Sequence, residues 1–153
     1  MTVDDGSFTL RRARQEDETD IRRLIRQVGI NPLGLHWERF LLAVDAQGAM
    51  IGCGQIKIHS DGSRELASIA VAEAWRRRGV AGAIIRRLMA SEDGRLYLTC
   101  RSELGPFYQR FGFREAARNE LSPYFRRLSK LAGWLGALHL MPQEGLLIMR
   151  WDP

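Results

Sequence analysis

The sequence predicts a mixed α/β (α+β) chain. A central, mostly antiparallel sheet of about seven strands is flanked by helices, with one extra helix between the last two strands. Three observations predict it. Short strand-like runs alternate with segments whose apolar residues recur at helical spacing. Three of the strand runs follow one another across tight polar turns, which makes them antiparallel neighbours. The length, 153 residues with 45% hydrophobic and 27% charged, suits one globular domain spanning 1–153, with residues 1–6 expected to be flexible.

The elements follow in order. Phe8-Thr9-Leu10-Arg11-Arg12 alternates as a strand, and Asp17 to Val28 places Ile21, Leu24, Ile25 and Val28 on one helical face before Gly29. Asn31 to Trp37 is a loop by its Pro and Gly, with a helical turn near its end. Strands are expected over Arg39 to Asp45, Met50 to His59 and Glu65 to Val71, joined by Ala46-Gln47-Gly48-Ala49 and Ser60-Asp61-Gly62-Ser63. Gly52-Cys53-Gly54 inside the second of these reads as a bulge or a close backbone approach.

A loop from Ala72 to Arg78 leads to a helix faced by Val80, Ala81, Ile84, Ile85, Leu88 and Met89 and ended by Asp93-Gly94. Arg95 to Cys100 is a strand. Gly105-Pro106 opens a short helix through Phe111, with Gly112 as its left-handed cap. Phe113 to Ala117 returns as a strand. Pro123 to Leu140 carries Tyr124, Leu128, Leu131, Leu135 and Leu138 on one stripe, and Gly145 to Trp151 is the final strand.

Composition excludes several classes. The apolar runs, such as Phe40 to Val44 and Ile69 to Val71, fall far short of the roughly 20 residues of a membrane-spanning helix. The start Met1-Thr2-Val3-Asp4-Asp5-Gly6 lacks the basic and apolar parts of a secretory signal, so a cytoplasmic protein is expected. Cys53 and Cys100 stand in strand-like runs without Cys-x-x-Cys spacing, which points to buried, reduced packing residues and to no metal site.

The 23 bases outnumber 18 acids, and only Lys57 and Lys130 are lysine. Most arginines sit among helical or strand positions as solvated faces. One knot, Arg76-Arg77-Arg78, runs directly into Gly79. A strand ending at Val71 delivers the chain to this loop, and the loop becomes the first turn of a helix whose backbone N–H groups have no intrahelical partner. Gly79 lets a ligand approach closely and small Ala81 keeps the mouth open, so a pyrophosphate is a natural guest. The pattern is neither a Walker loop, since no Gly-Lys-Ser/Thr follows, nor the three-glycine dinucleotide fingerprint.

Here the sequence resembles the GNAT superfamily of acyl-CoA-dependent N-acyltransferases. Arg76, Gly79 and Ala81 meet that family's pyrophosphate signature, and Phe107-Tyr108-Gln109-Arg110-Phe111-Gly112-Phe113 is similar to its aromatic helix closing on Gly-Phe. The two motifs stand in family order, and the element order matches from Phe8 to Trp151, so the resemblance implies the GNAT fold. It implies acetyl-CoA as cosubstrate, lying between the strand ending at Val71 and the strand ending at Cys100. The pantetheine would pair with backbone at Ile69, Ala70 and Val71. The pyrophosphate would meet Arg76, Arg77, Arg78, Gly79, Val80, Ala81 and Gly82.

The resemblance also implies Tyr108 as proton donor to the departing thiolate and Glu65 as the base, directly or through water. The alternatives are an aromatic core residue and a hairpin glutamate paired with a neighbouring arginine. His36 and His59 are rival bases. Family members often carry an asparagine where this chain has Arg101-Ser102-Glu103, and Ser102 is its substitute.

The long connection Arg118 to Glu144 departs from the family's tight hairpin. Its helix reads as packing on its own domain, as a substrate lid, or as a contact to a partner subunit in a homodimer; Arg126, Arg127, Lys130 and Trp134 give a weaker membrane-surface reading. The expected activity is acetyl transfer to a primary amine, with a non-catalytic acyl-CoA-binding module as the alternative. Scattered bases and the absence of a nucleic-acid motif argue against a nucleic-acid partner. Gly29 to Glu38 and Arg118 to Glu144 are the candidate acceptor-lining segments, with Trp37, Glu38 and Tyr124 suited to a cationic amine.

Overall fold

A computed structural model describes residues 7–138 and 145–153. The strands are β1 (Phe8–Arg12), β2 (Phe40–Asp45), β3 (Met50–Ile58), β4 (Arg64–Val71), β5 (Leu96–Arg101), β6 (Arg114–Glu115) and β7 (Leu146–Trp151). The helices are α1 (Glu18–Val28), α2 (Val80–Ala90), α3 (Gly105–Gln109) and α4 (Pro123–Ala137). Hydrogen bonding orders the strands β1-β2-β3-β4-β5-β7-β6. The β1–β2, β2–β3, β5–β7 and β6–β7 pairs are antiparallel, and β4 runs parallel to β5 with Glu65 opposite Tyr97. This is the mixed, mostly antiparallel sheet the sequence predicts. The six leading residues and the expected end of the last helix at Leu140 lie outside the described residues.

The chain divides into two compact units, one holding residues up to Lys57 with Leu66–Ser91, the other Ile58–Glu65 with Glu92–Pro153. In the first unit, β1 to β3 form a meander with α1 and α2. Asp17 opens α1, its carboxylate accepting from the Arg14 amide at 2.7 Å and from both terminal nitrogens of Arg11. Gly29 at φ 79 closes it. Ile21, Leu24 and Ile25 bury against Phe40, Leu42, Val44 and Cys53. The two glycines of β3 are close approaches: a Cβ at Gly52 would lie 2.8 Å from Val80 Cγ1, and one at Gly54 would lie 2.6 Å from Ile69 Cδ1 and 2.8 Å from Ile84 Cγ2. The register with β2 also shifts beside Gly52, between Ala43 and Val44. Helix α2 therefore beds directly on bare backbone.

In the second unit, β5, β7 and β6 carry α3 and α4. Two expectations are corrected there. The strand over Phe113 to Ala117 shrinks to Arg114–Glu115, because the Ala117 amide turns to the Glu120 carboxylate at 2.8 Å and starts a 3-10 turn. The stripe on α4 is packed only at its beginning. Phe125, which lies off the stripe, is the fully buried anchor beside Tyr97, Leu121 and Ile148, whereas Leu131 is 51%, Trp134 61% and Leu138 48% exposed. Among the described residues no helix is long and apolar enough to cross a membrane.

Candidate active site

The predicted site residues fall in both units, and each group is built within its own. In the first, β4 is kinked at Ser68, a non-glycine residue at φ 58. Buried Gln55 holds the kink, donating through Nε2 to Ser68 Oγ at 2.8 Å and to the Gly34 carbonyl at 3.2 Å. Ala70 is buried beyond the kink, while Ile69 and Val71 are half-buried. Three side chains hold the loop before Trp37: Lys57, Gln55 and Arg22 donate to the successive carbonyls of Leu33, Gly34 and Leu35. His36 is exposed on this loop.

After a 3-10 turn at Glu73–Trp75, Arg77 adopts φ 63 and Gly79 φ 80, so two left-handed residues bend the chain into the start of α2. Arg76, Arg77, Arg78 and Gly79 are exposed, and the Arg78 guanidinium stands 5.0 Å from the Trp75 ring centre. Val80 is buried, so its side chain anchors the helix while the first-turn amides stay at the end. That end suits an anion. Among the described residues, no acidic residue stands in the first turn, no side chain caps it, and a Cβ at Gly79 would meet nothing within 4 Å.

In the second unit, Glu65 and His59 are not rivals but partners. Glu65 Oε2 lies 2.6 Å from His59 Nε2, with the side chains 10% and 12% exposed. Thr99 Oγ1 approaches the other carboxylate oxygen at 3.4 Å. The paired-arginine alternative is not realised, because neighbouring Arg64 makes a two-point bridge to Glu92. The imidazole lies flat on Tyr124, centroids 3.6 Å apart and planes 11° apart, and meets the edge of Phe125 at 5.5 Å. Tyr124 went unread as a partner of the pair. The available signal was the turn: His59 and Ser63 pair through their backbones at 2.9 Å, which puts His59 and Glu65 diagonally on one face.

Tyr108 sits on α3 among Phe107 and Phe113. Burial, reinforced by nearby Cys100, pushes its phenol up to about 12, so it holds its proton at neutral pH. Burial likewise raises the Cys100 thiol. Ser102 is exposed in a 3-10 turn, Ser102–Leu104, that leads into α3.

A carboxylate–imidazole pair, a helix start that suits an anion and a protonated phenol follow one another along the chain, and the comparisons give the class as acyltransferases. Residues 36–115, just over half the chain, match the family profile described as acetyltransferase (GNAT) domain. The chain belongs to the GNAT acetyltransferase family.

Solved structures share its fold. N-acetylglutamate synthase from Neisseria gonorrhoeae, complexed with coenzyme A and N-acetyl-glutamate, aligns with a TM-score of 0.74 and 19% identity over 95% of this chain, which spans only 35% of that enzyme. A Mycobacterium tuberculosis protein in complex with CoA aligns at 0.72 and 22% identity, covering 95% of this chain and 99% of that one. The ribosomal-protein-S18-alanine N-acetyltransferase from Escherichia coli aligns at 0.65 and 16% identity, covering 95% and 94%. No curated protein matches the sequence significantly.

Proposed function

We propose that the chain transfers an acetyl group from acetyl-CoA to a primary amine by direct attack. The observation that carries this reading is the acid-free, uncapped start of α2 behind Gly79, where the family's pyrophosphate signature falls on exposed arginines and bare amides. The CoA-bound relatives support the choice of cosubstrate. Arg76 to Gly82 hold the pyrophosphate, Ile69 to Val71 and Ser102 hold the pantetheine, and Tyr108 faces the sulfur.

The acceptor arrives as an ammonium and must lose a proton before its lone pair can attack. Glu65, directly or through water, draws that proton. The nitrogen then bonds to the thioester carbon and the carbon–sulfur bond breaks. Tyr108 gives its phenolic proton to the leaving thiolate, and the surplus proton on the new amide nitrogen restores the phenol. One proton in total is released to solvent.

Thiol release tests the reading. Purified protein with acetyl-CoA and a panel of primary amines liberates free CoA, and the Tyr108→Phe variant does so more slowly. Binding of CoA without turnover on any amine would instead establish a non-catalytic acyl-CoA-binding module.

A further inference from the structure

The geometry points to His59 Nδ1 as the place where the acceptor's proton comes to rest, with Glu65 orienting the imidazole and balancing its charge and Tyr124 holding the ring in place. The inference rests on the acyl-transfer reading above and, within it, moves the resting place of the proton from Glu65 to the imidazole that Glu65 holds.

At 2.6 Å, one proton must lie between His59 Nε2 and Glu65 Oε2, since two bare lone pairs repel at that separation. In the deprotonated pair this is an Nε2–H donated to a carboxylate. The neutral ring has only one N–H, so Nδ1 then carries the free lone pair. Among the described residues no hydrogen bond occupies Nδ1. A second proton arriving there turns the ring into an imidazolium paired with the carboxylate. A second proton on Glu65 instead leaves a neutral acid beside a neutral ring, without that ion pair. An imidazole is ordinarily a stronger base than a carboxylate, so the second proton settles on the ring and leaves the ion pair.

The step balances simply. The ammonium R–NH3+ gives one proton, through water, to Nδ1; R–NH2 attacks, and the imidazolium later returns the proton to solvent. The face-to-face stack on Tyr124 and the edge contact with Phe125 keep the ring from rotating away from the carboxylate. Among the described residues, the titratable groups that contact the ring are Glu65 on β4 and Tyr124 on α4; Asp61 in the adjoining turn accepts from the Tyr124 amide, and Thr99 of β5 stands on the far carboxylate oxygen.

Steady-state CoA release across pH, with His59→Gln, Glu65→Gln and the double variant, tests the assignment. Expected are losses of roughly a hundredfold in kcat/KM for each single variant and no further loss in the double, as for residues acting as one unit. His59→Gln abolishes the acid limb of the pH profile. If His59→Gln stays within about threefold of the parent with its acid limb intact, the proton rests on Glu65 and the inference is overturned while acyl transfer stands. If the parent turns over no amine, acyl transfer and the role of His59 fall together. A second measurement needs no activity: long-range proton–nitrogen NMR of the unmodified protein shows the neutral His59 ring protonated at Nε2. A neutral ring protonated at Nδ1 would overturn the inference whatever the kinetics.

Discussion

Tyr124 lies flat on His59 at 3.6 Å, and the amide of that same tyrosine donates to the carboxylate of Asp61, two residues beyond the histidine, at 2.8 Å. The turn that follows His59 therefore caps the very helix whose first aromatic covers it. Against the upward push of partial desolvation, hydrogen bonds from Ser63 and from the Tyr124 amide hold the Asp61 carboxyl well below the usual carboxylate range. Asp61→Ala should cost about 1 kcal/mol as a lost cap, and Tyr124→Ala a similar amount for the ring pair. Tyr124→Phe keeps the stack and should leave stability within about 0.5 kcal/mol of the parent. Denaturant unfolding of the three variants checks the ranking.

Tyr108→Phe removes the only proton the phenol can give while keeping its ring. Loss of a positioned acid should slow CoA release by roughly 10²- to 10⁴-fold with little change in stability. The phenol also predicts an alkaline response. Burial disfavours the phenolate, so the folded state prefers the proton; this stability is full below about pH 10, the ordinary phenol value, and is lost as pH rises toward about 12. Comparing unfolding of the parent and Tyr108→Phe at both ends of that window isolates the contribution.

The bend before α2 separates binding from folding. Aspartate tolerates left-handed backbone better than most residues, so Gly79→Asp should fold, yet its carboxylate would face the phosphates. A carboxylate has the sign the helix start favours, so it would compete with and repel the phosphates at a cost to binding of about 1 to 2 kcal/mol, roughly a tenfold rise in Kd for CoA by calorimetry. Arg77→Gly should do the reverse for stability, relieving about 1 kcal/mol of left-handed strain at φ 63.

Gly54 is a packing test within the first unit. A methyl there would sit 2.8 Å from Ile84 Cγ2 and 3.2 Å from Leu88 Cδ1, so α2 would have to lift. Gly54→Ala should destabilise by about 1 to 3 kcal/mol, as overpacking does. A melting temperature equal to the parent's would show that the helix does not bed on β3 this closely.

Acid should loosen the second unit through Glu120. Bonds from Arg114, then the Ala117 amide, with the charge of Arg150, hold this carboxyl down to about 2. A depressed carboxylate contributes stability that is present above its ordinary value near 4.5 and lost as pH falls toward 2. Glu120→Gln should flatten the acid limb of a stability profile over that interval.

The meander can be read from the chain because each turn carries its own chemistry: Gly48 and Gly62 both take φ 82, and Asp45 and Asp61 accept the turn amides. The stretch from Leu66 to Met89 is equally legible, since the helical period and the glycine before it are local signals. Periodicity says which face is apolar, but not what stands opposite it. That is why the stripe on α4 overran its packing at Leu131 and Leu138, and why Phe125 went unrecognised as the anchor. The same limit hid the site's main relationship. His59 and Glu65 are each plain in the sequence, but their pairing depends on hairpin register and on a ring from a helix some sixty residues away.

The four residues Ser60 to Ser63 act as a ruler. The turn brings His59 and Glu65 within reach of each other because it ends with the Ser63 carbonyl accepting the His59 amide, while Tyr124 fixes the ring's plane. Strand faces alternate with every residue, so adding or removing one residue in the turn turns Glu65 to the opposite side of the sheet. A loop that looks free to vary in length is thus one of the least tolerant of insertion, because the carboxylate–imidazole contact is carried by a single seven-residue segment.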